Sequence, residues 1–221
     1  MSIAIDTPVA APHTTTANSA GRVMATVMAA LAPATLFGFW LYGWPAIHLW
    51  FMTVASAMLG EAFCLRLLGR KALPVLFDGS AALTGWLLAV SLPPWAPWWI
   101  GAFGGLFATV LAKQVFGGLG QNLFNPAMVA RVALLISFPV QMTAWVAPLP
   151  IFSAGAPGLI DGLRITLNGV PPAYDAVASA SLLGFAKTEL SRGIDLAQSL
   201  LQAPAPGLYG IHPGSLGETA A

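Results

Sequence analysis

Charged residues are scarce in this sequence. They make up 8% of its 221 residues, whereas soluble domains usually carry about 25%, and hydrophobic residues make up 57%. No Asp, Glu, Lys or Arg occurs in residues 23–60, 79–112 or 132–160. A helix needs roughly 20 predominantly apolar residues to cross a bilayer, so each stretch can hold one crossing or more. The sequence therefore predicts an all-α, polytopic integral membrane protein and excludes a soluble globular domain.

Cysteine and net charge are also low. Cys64 is the only cysteine, which excludes an intrachain disulfide and a cysteine-based metal cluster. The net charge of +1 indicates no nucleic-acid partner. The first residues lack the basic segment and short apolar core of a cleaved signal peptide. We therefore expect residues 1–21 to be a disordered tail that precedes a retained first membrane span.

Apolar length and helix-breaking residues divide residues 22–146 into a bundle of about five transmembrane helices. We expect the helices at residues 23–42, 45–68, 79–92, 98–116 and 126–145. Tryptophans cluster near the proposed ends, where amphipathic rings favour the headgroup layer, although the same rings could pack in the core. These tryptophans are Trp44, Trp50, Trp95, Trp98, Trp99 and Trp145.

Basic residues predict the orientation of the bundle. Arg66, Arg70 and Lys71 lie together at the end of the second proposed span, and such clusters stay in the cytoplasm. The N-terminus is then cytoplasmic, and with five spans residues 147–212 form an extracytoplasmic loop region. Proline and glycine break up any long helix in the first part of this region. Residues 213–221 are expected to begin a second membrane half.

The densest polar stretch near the proposed membrane is residues 113–131. Its glycines permit positive φ angles, and Asn125 before Pro126 predicts a capped helix start. The exposed amides of such a start attract an anion or an electron-rich ring, although a capped helix without a ligand is the plainer interpretation. Asn125-Pro126-Ala127 also resembles the pore motif of aquaporins, in a single copy. A pore or transporter subunit without a redox centre is therefore the alternative function.

Two acidic residues border the proposed spans. Asp78 before Gly79 and Ser80 can cap a helix. Glu61 lies near the end of the second span, and acids within the membrane are costly and often functional. Ion or proton handling is one interpretation of Glu61, and a structural pair with Arg66 is the other.

The polar stretch of residues 175–190 is unusual in so apolar a chain. It offers Asp175 and the hydroxyls of Ser179 and Ser181 among small residues. No histidine or cysteine accompanies these hydroxyls, so a Ser-His-Asp hydrolase is unsupported. A hydroxyl without a base can instead be modified by another enzyme.

Several stretches together resemble a known family. They are FDGSAALTGWLLAVSLPP, KQVFGGLGQNLFNPAMVARVALLISFP, MTAW and GSLGET. They are similar to the D subunit of the Rnf electron-transport complex and its relative, the B subunit of the sodium-pumping NADH:quinone reductase. The resemblance implies a multi-pass subunit of the bacterial inner membrane, surrounded by lipids and by other membrane and peripheral subunits. It implies a complex that couples ferredoxin:NAD electron transfer to Na⁺ or H⁺ transport, with no catalysis by this subunit alone.

The resemblance also implies a covalent FMN, which an extracytoplasmic flavin transferase joins through its phosphate to a threonine in Asp-x-x-Ser-Gly-Ala-Thr. The pattern falls on residues 175–181, with Asp175 and Ala180 in place and Ser181 as the attachment site. Ala178, Ser179 and Ser181 replace the pattern's Ser, Gly and Thr. Serine offers the same oxygen for a phosphoester.

An unmodified loop, or attachment at Ser179 or Thr188, is the alternative to FMN on Ser181. The family further suggests a second, non-covalent flavin such as riboflavin, with residues 117–125 as a candidate contact. It also suggests further membrane spans after Ala221. No metal site is expected.

Overall fold

The computed structural model describes residues 20–169, Leu190 and residues 214–218, and these residues form helices and turns without a β-strand. The predicted all-α class is confirmed for this part of the chain. The helices are α1 (Ala20–Leu67), α2 (Ala72–Leu76), α3 (Ser80–Ser91), α4 (Trp98–Leu106), α5 (Pro126–Ser137), α6 (Pro139–Met142) and α7 (Leu159–Asn168). A π-helical segment, Phe107–Leu111, continues α4, and a 3-10 turn, Gln114–Phe116, follows it.

Helix α1 reverses direction at Gly43. This glycine has φ 71° and ψ −158°, a left-handed conformation that residues with a Cβ rarely adopt. The rings of Phe39 and Trp50 lie 5.7 Å apart, although eleven residues of continuous helix would separate them by about 16 Å. Residues 20–42 and 44–67 are therefore two antiparallel arms. The break falls between the first two predicted spans.

The α3 helix packs against both arms. Trp86 donates its indole N–H to the Thr35 hydroxyl of the first arm at 2.8 Å. Its ring lies 5.1 Å from that of Trp50 on the second arm. Gly85 fits against the backbone of the second arm, where an added Cβ would lie 2.9 Å from the Val54 Cα. The absence of a side chain at Gly85 lets the two helices approach closely.

The bundle has two ends with different chemistry. We call the end that holds Glu61, Ser80 and Lys113 the charged end, because an ion pair joins these helices there. We call the opposite end the loop end. There the Trp95 indole donates to the Tyr42 carbonyl at 2.9 Å.

The interior between the ends is apolar and tightly packed. Its core joins α1, α3, α4 and α5 through Leu49, Leu88, Ile100, Ala130 and Leu134. Trp95 is 2% exposed and Trp50 packs between two rings. These two tryptophans therefore pack inside the bundle, whereas Trp98 is 40% exposed.

The predicted continuous helix over residues 126–145 is interrupted. Helix α5 ends at Ser137, and Phe138 leaves the helical region with φ −133° and ψ 58°. Pro139 follows, and proline disfavours the helical conformation of the residue before it. With 12 residues each, α3 and α5 are only about 18 Å long, against a hydrocarbon core of ~30 Å.

In the described residues, two helical stretches are long and apolar enough to cross a membrane. They are Ala20–Leu67, which includes both arms, and Trp98–Phe116. Together with the family described below, they fit a membrane protein. The count of five crossings and the orientation stay predictions.

Two segments cover the loop end. Gly162 of α7 lies against Trp44 and Pro45 at the reversal of α1. Residues 214–218 dock beside it, where the Tyr42 hydroxyl donates to the Gly214 carbonyl at 3.1 Å and accepts from the Gly214 amide at 3.2 Å. Leu216 fills the space beside Gly38. The described residues on both sides of 170–213 therefore contact the same end of the bundle.

Candidate functional site

A buried ion pair joins α1 to the chain after α4 at the charged end. Lys113 Nζ lies 2.6 Å from Glu61 Oε1, and both side chains are 1% exposed. Gln114 donates its side-chain amide to the same oxygen at 2.6 Å, and Lys113 donates to the Ser80 hydroxyl at 2.7 Å. Burial of a lone charge is expensive, so each charged group needs the other. The pair ties the second arm, α3 and the segment after α4 together.

Only one of the two carboxylate oxygens of Glu61 has partners in the described residues. Oε1 accepts from both Lys113 and Gln114, whereas Oε2 is buried without a hydrogen-bond partner in the described residues. The interpretation that Arg66 pairs with Glu61 is wrong. Arg66 is exposed and lies five residues further along the helix, which turns its side chain away from Glu61.

The π-helical segment determines where Lys113 lies. The Ala112 amide donates to the Phe107 carbonyl at 3.0 Å, a bond that spans five residues instead of four. The extra residue rotates the following side chains around the axis, and such bulges are frequent at functional sites. Gly60 of the second arm lies against Thr109 of this segment, so the helices approach closely just before the ion pair.

A cavity of about 460 Å³ adjoins the ion pair. Lys113 and Ser80 line it on the polar side, and Met24, Leu87 and Phe124 are among its apolar walls. Asn122 also lines it, and the Asn122 Oδ1 atom is buried without a hydrogen-bond partner in the described residues. This volume lies within the usual range of small-molecule sites, and a few polar groups in an apolar wall are typical of them.

Two helices begin at this cavity, as the sequence predicts for α5. The Asn125 side chain accepts from the Ala127 amide at 3.0 Å and caps α5, while the Asp78 carboxylate accepts from the Ser80 amide at 2.6 Å. Helix starts carry partial positive charge and favour electron-rich groups. The cap uses only the Asn125 Oδ1 atom, so it does not distinguish a pore motif at Asn125-Pro126-Ala127 from an ordinary capped helix, and the pore interpretation stays a prediction.

The loop between Lys113 and Asn125 has the predicted glycine conformations. Gly117, Gly118 and Gly120 have φ angles of 110°, 95° and 86°. These values lie in the left-handed region, where a side chain is strained. The loop can therefore turn back sharply and bring Asn122 to the wall of the cavity.

The predicted flavin-attachment residues lie outside the described part of the chain. This holds for Asp175, Ala180 and Ser181, and for the rival hydroxyls Ser179 and Thr188. Attachment of FMN at Ser181 therefore stays a prediction. Lys113 was missed as the partner of Glu61, because a lysine that ends a long uncharged stretch is expected at the membrane surface and not inside the bundle.

A model of the NQR2, RnfD, RnfE family matches residues 8–221. The chain belongs to this family. The resemblance drawn from the sequence motifs is confirmed, and it covers nearly the whole chain.

Family members with strong similarity include three proteins that are each named as the D subunit of an ion-translocating oxidoreductase complex. The one from Halorhodospira halophila is 54% identical over 96% of this chain and 60% of its own length. The one from Stutzerimonas stutzeri is 55% identical over 92% of this chain and 57% of its own length. The one from Rhodobacter capsulatus is 51% identical over 96% of this chain and 59% of its own length. The chain thus spans somewhat more than half the length of the curated relatives it matches.

Proposed function

We propose that this chain belongs to the D subunit of an ion-translocating oxidoreductase complex. The observation that carries the proposal is identity of 51–55% to three proteins with that name over more than nine tenths of the chain. The subunit lies in the bacterial inner membrane and works with other membrane and peripheral subunits. It relays electrons between ferredoxin and NAD through flavin, and the complex couples this transfer to Na⁺ or H⁺ movement.

The first proposed redox group is FMN joined as a phosphoester to the Ser181 hydroxyl. Asp175 and Ala180 belong to the pattern that the flavin transferase reads. The described residues on either side support a tether at the loop end, because α7 and Gly214 both contact that end. A tethered cofactor keeps a fixed local concentration near its electron donor and acceptor. The flavin supplies the redox chemistry, and the protein supplies position and electrostatics.

The cavity at the charged end fits a second, non-covalent flavin. Its volume suits a small molecule, and its apolar wall, which includes Phe124, suits an aromatic ring. The unpartnered Asn122 Oδ1 can accept a hydrogen bond from a ring N–H, and Lys113 contributes a cation beside a ring carbonyl. When bound, a flavin takes up and releases electrons. These residues bind and orient it.

Mass and fluorescence test the covalent FMN. The full-length protein, purified from membranes and denatured, should carry the added mass of FMN minus water and give a fluorescent band on a gel. The Ser181→Ala variant should lose both signals. The matched variant Ser179→Ala should keep them, since it removes the neighbouring hydroxyl only. Persistence of the band in Ser181→Ala, together with its loss in Ser179→Ala, would show attachment at the other serine.

The same samples distinguish the redox proposal from the pore alternative. A redox subunit should be yellow in its native state. A colourless full-length protein, without bound flavin and with solute conductance in vesicles, would contradict the proposal and favour the pore.

A further inference from the structure

A cluster of basic residues lies where α1 ends at the charged end. Gly69, with φ 68°, ends the helix, and the Arg70 amide donates to the Leu65 carbonyl at 2.9 Å. This pairing is a Schellman motif, which terminates a helix and leads the chain away from its axis. Arg66, Arg70 and Lys71 are all exposed. No Asp or Glu occurs between Glu61 and Asp78 in the sequence.

The carboxylates of the charged end are already engaged. Glu61 pairs with Lys113, and the Asp78 carboxylate accepts the Ser80 amide. In the described residues, neither pairs with Arg66, Arg70 or Lys71. The remaining described carboxylates, Asp161 and Glu218, belong to segments that pack at the loop end. Three exposed cations therefore face solvent or headgroups without an acidic partner in the part of the chain that the structure describes.

Apolar side chains accompany these cations. Leu73 on α2 is 69% exposed, and Phe77 just after it is 85% exposed. Leu67 and Leu68, beside the basic residues, are also exposed. The favourable interaction of cations with the C-terminus of α1 explains why basic residues lie here, but it does not explain an exposed phenylalanine. Cations next to exposed apolar groups, at the end of a bundle, are typical of a segment in the headgroup layer.

We propose that residues 66–77, the basic segment, bind an anionic phospholipid. The guanidinium groups and the ammonium group contact the phosphate and the charged headgroup, and Leu73 and Phe77 pack against the acyl chains. Each basic side chain near an anionic surface strengthens binding about fivefold. A zwitterionic lipid offers no net charge, so the segment prefers phosphatidylglycerol to phosphatidylcholine.

Native mass spectrometry of the full-length subunit tests this preference. The detergent-purified protein is titrated separately with phosphatidylglycerol and phosphatidylcholine, and bound lipids are counted. Arg70→Gln and Lys71→Gln should each weaken phosphatidylglycerol binding about fivefold, and the double variant roughly 25-fold, with little change for phosphatidylcholine. Arg164→Gln is the matched control, because Arg164 is exposed on α7 at the opposite end.

Further measurements distinguish lipid binding from binding of a free anion or of a partner protein. Phe77→Ser should weaken binding of both lipids, since it removes acyl contact and no charge. Thermal unfolding of each variant checks that the fold is intact. An undiminished preference in the double variant would overturn the proposal. If inorganic phosphate competes with phosphatidylglycerol equally well, the segment is an anion site without lipid specificity. If the double variant loses a co-purifying subunit while lipid binding is unchanged, the segment is a protein interface. Either result would also overturn it.

Discussion

Replacing Lys113 with methionine removes the cation that neutralises the buried carboxylate of Glu61. Methionine is apolar and of similar length, so it fills the space without a new polar group. Glu61 then keeps only the hydrogen bond from Gln114, while both of its oxygens remain buried. The carboxylate is then left in an apolar interior without a compensating cation. This destabilises the folded bundle.

The expected cost follows from the burial of the pair. Removal of one partner of a buried ion pair typically costs about 3–5 kcal/mol, because the other charge is left uncompensated. Both side chains are 1% exposed, so solvent cannot reduce this cost much. For a chain of this size, 1 kcal/mol shifts the melting temperature by about 2–4 °C. We therefore expect Lys113→Met to melt about 6–20 °C lower than the wild type.

A double variant distinguishes the effect of the unpaired charge from the effect of altered packing. Glu61→Gln with Lys113→Met removes both charges and keeps the shape of both side chains. It should regain much of the stability lost in Lys113→Met, since buried pairs can be replaced by neutral groups at little cost. The assay is thermal unfolding in detergent of the four proteins of a double-mutant cycle. A loss below about 1 kcal/mol in Lys113→Met, or additive losses in the double variant, would refute the assigned pair.

Three further substitutions test a helix contact, the cap of α5 and the anchor at the loop end, each by thermal unfolding. Gly105→Ala places a Cβ 2.6 Å from the Thr53 carbonyl oxygen and should lower the free energy of unfolding by about 1–3 kcal/mol. The control Gly158→Ala meets no atom closer than 4.0 Å and should be nearly neutral. Equal losses in the two variants would contradict the close helix contact at Gly105. Asn125→Ala removes the cap of α5 and should cost about 0.5–2 kcal/mol, and an unchanged stability would show that the cap is unimportant. Tyr42→Phe removes the hydroxyl that hydrogen-bonds to the Gly214 amide and carbonyl. It should lower the free energy of unfolding by about 1–3 kcal/mol and speed protease cleavage near residues 214–218. Unchanged cleavage would contradict the role of Tyr42 in holding this segment.

The sequence predicted those features that depend on neighbouring residues. The start of α5 follows from Asn125 and Pro126, and α3 matches the predicted span of residues 79–92 within a residue at each end. The break in α1 falls at Gly43, beside Pro45. In each case a local cap or a helix-breaking residue acts within a few positions, so it can be seen without the fold.

Features that depend on distant residues were not predicted. Gln114 and Glu61 are 53 positions apart, and only the packing of α1 against the π-helical segment brings them together. Nothing in the local sequence shows the five-residue bond of Ala112, which turns Lys113 inward. The early end of α5 is different, because Pro139 was visible in the sequence. Its effect on Phe138 acts within one position and outweighs the apolar length of residues 126–145.

The charges around the cavity favour riboflavin over FMN as the proposed non-covalent flavin. Lys113 and Glu61 cancel each other, so the ion pair leaves the site with no net charge to offset a phosphate dianion. The starts of α3 and α5 add only partial positive charge, about half a unit each, and this suits ring carbonyls better than a doubly charged group. Flavin released from the denatured full-length protein and separated by chromatography should therefore be riboflavin, with FMN remaining on the chain. Release of stoichiometric free FMN would show that another part of the protein supplies cationic groups to this cavity, and that the pair alone does not determine its ligand.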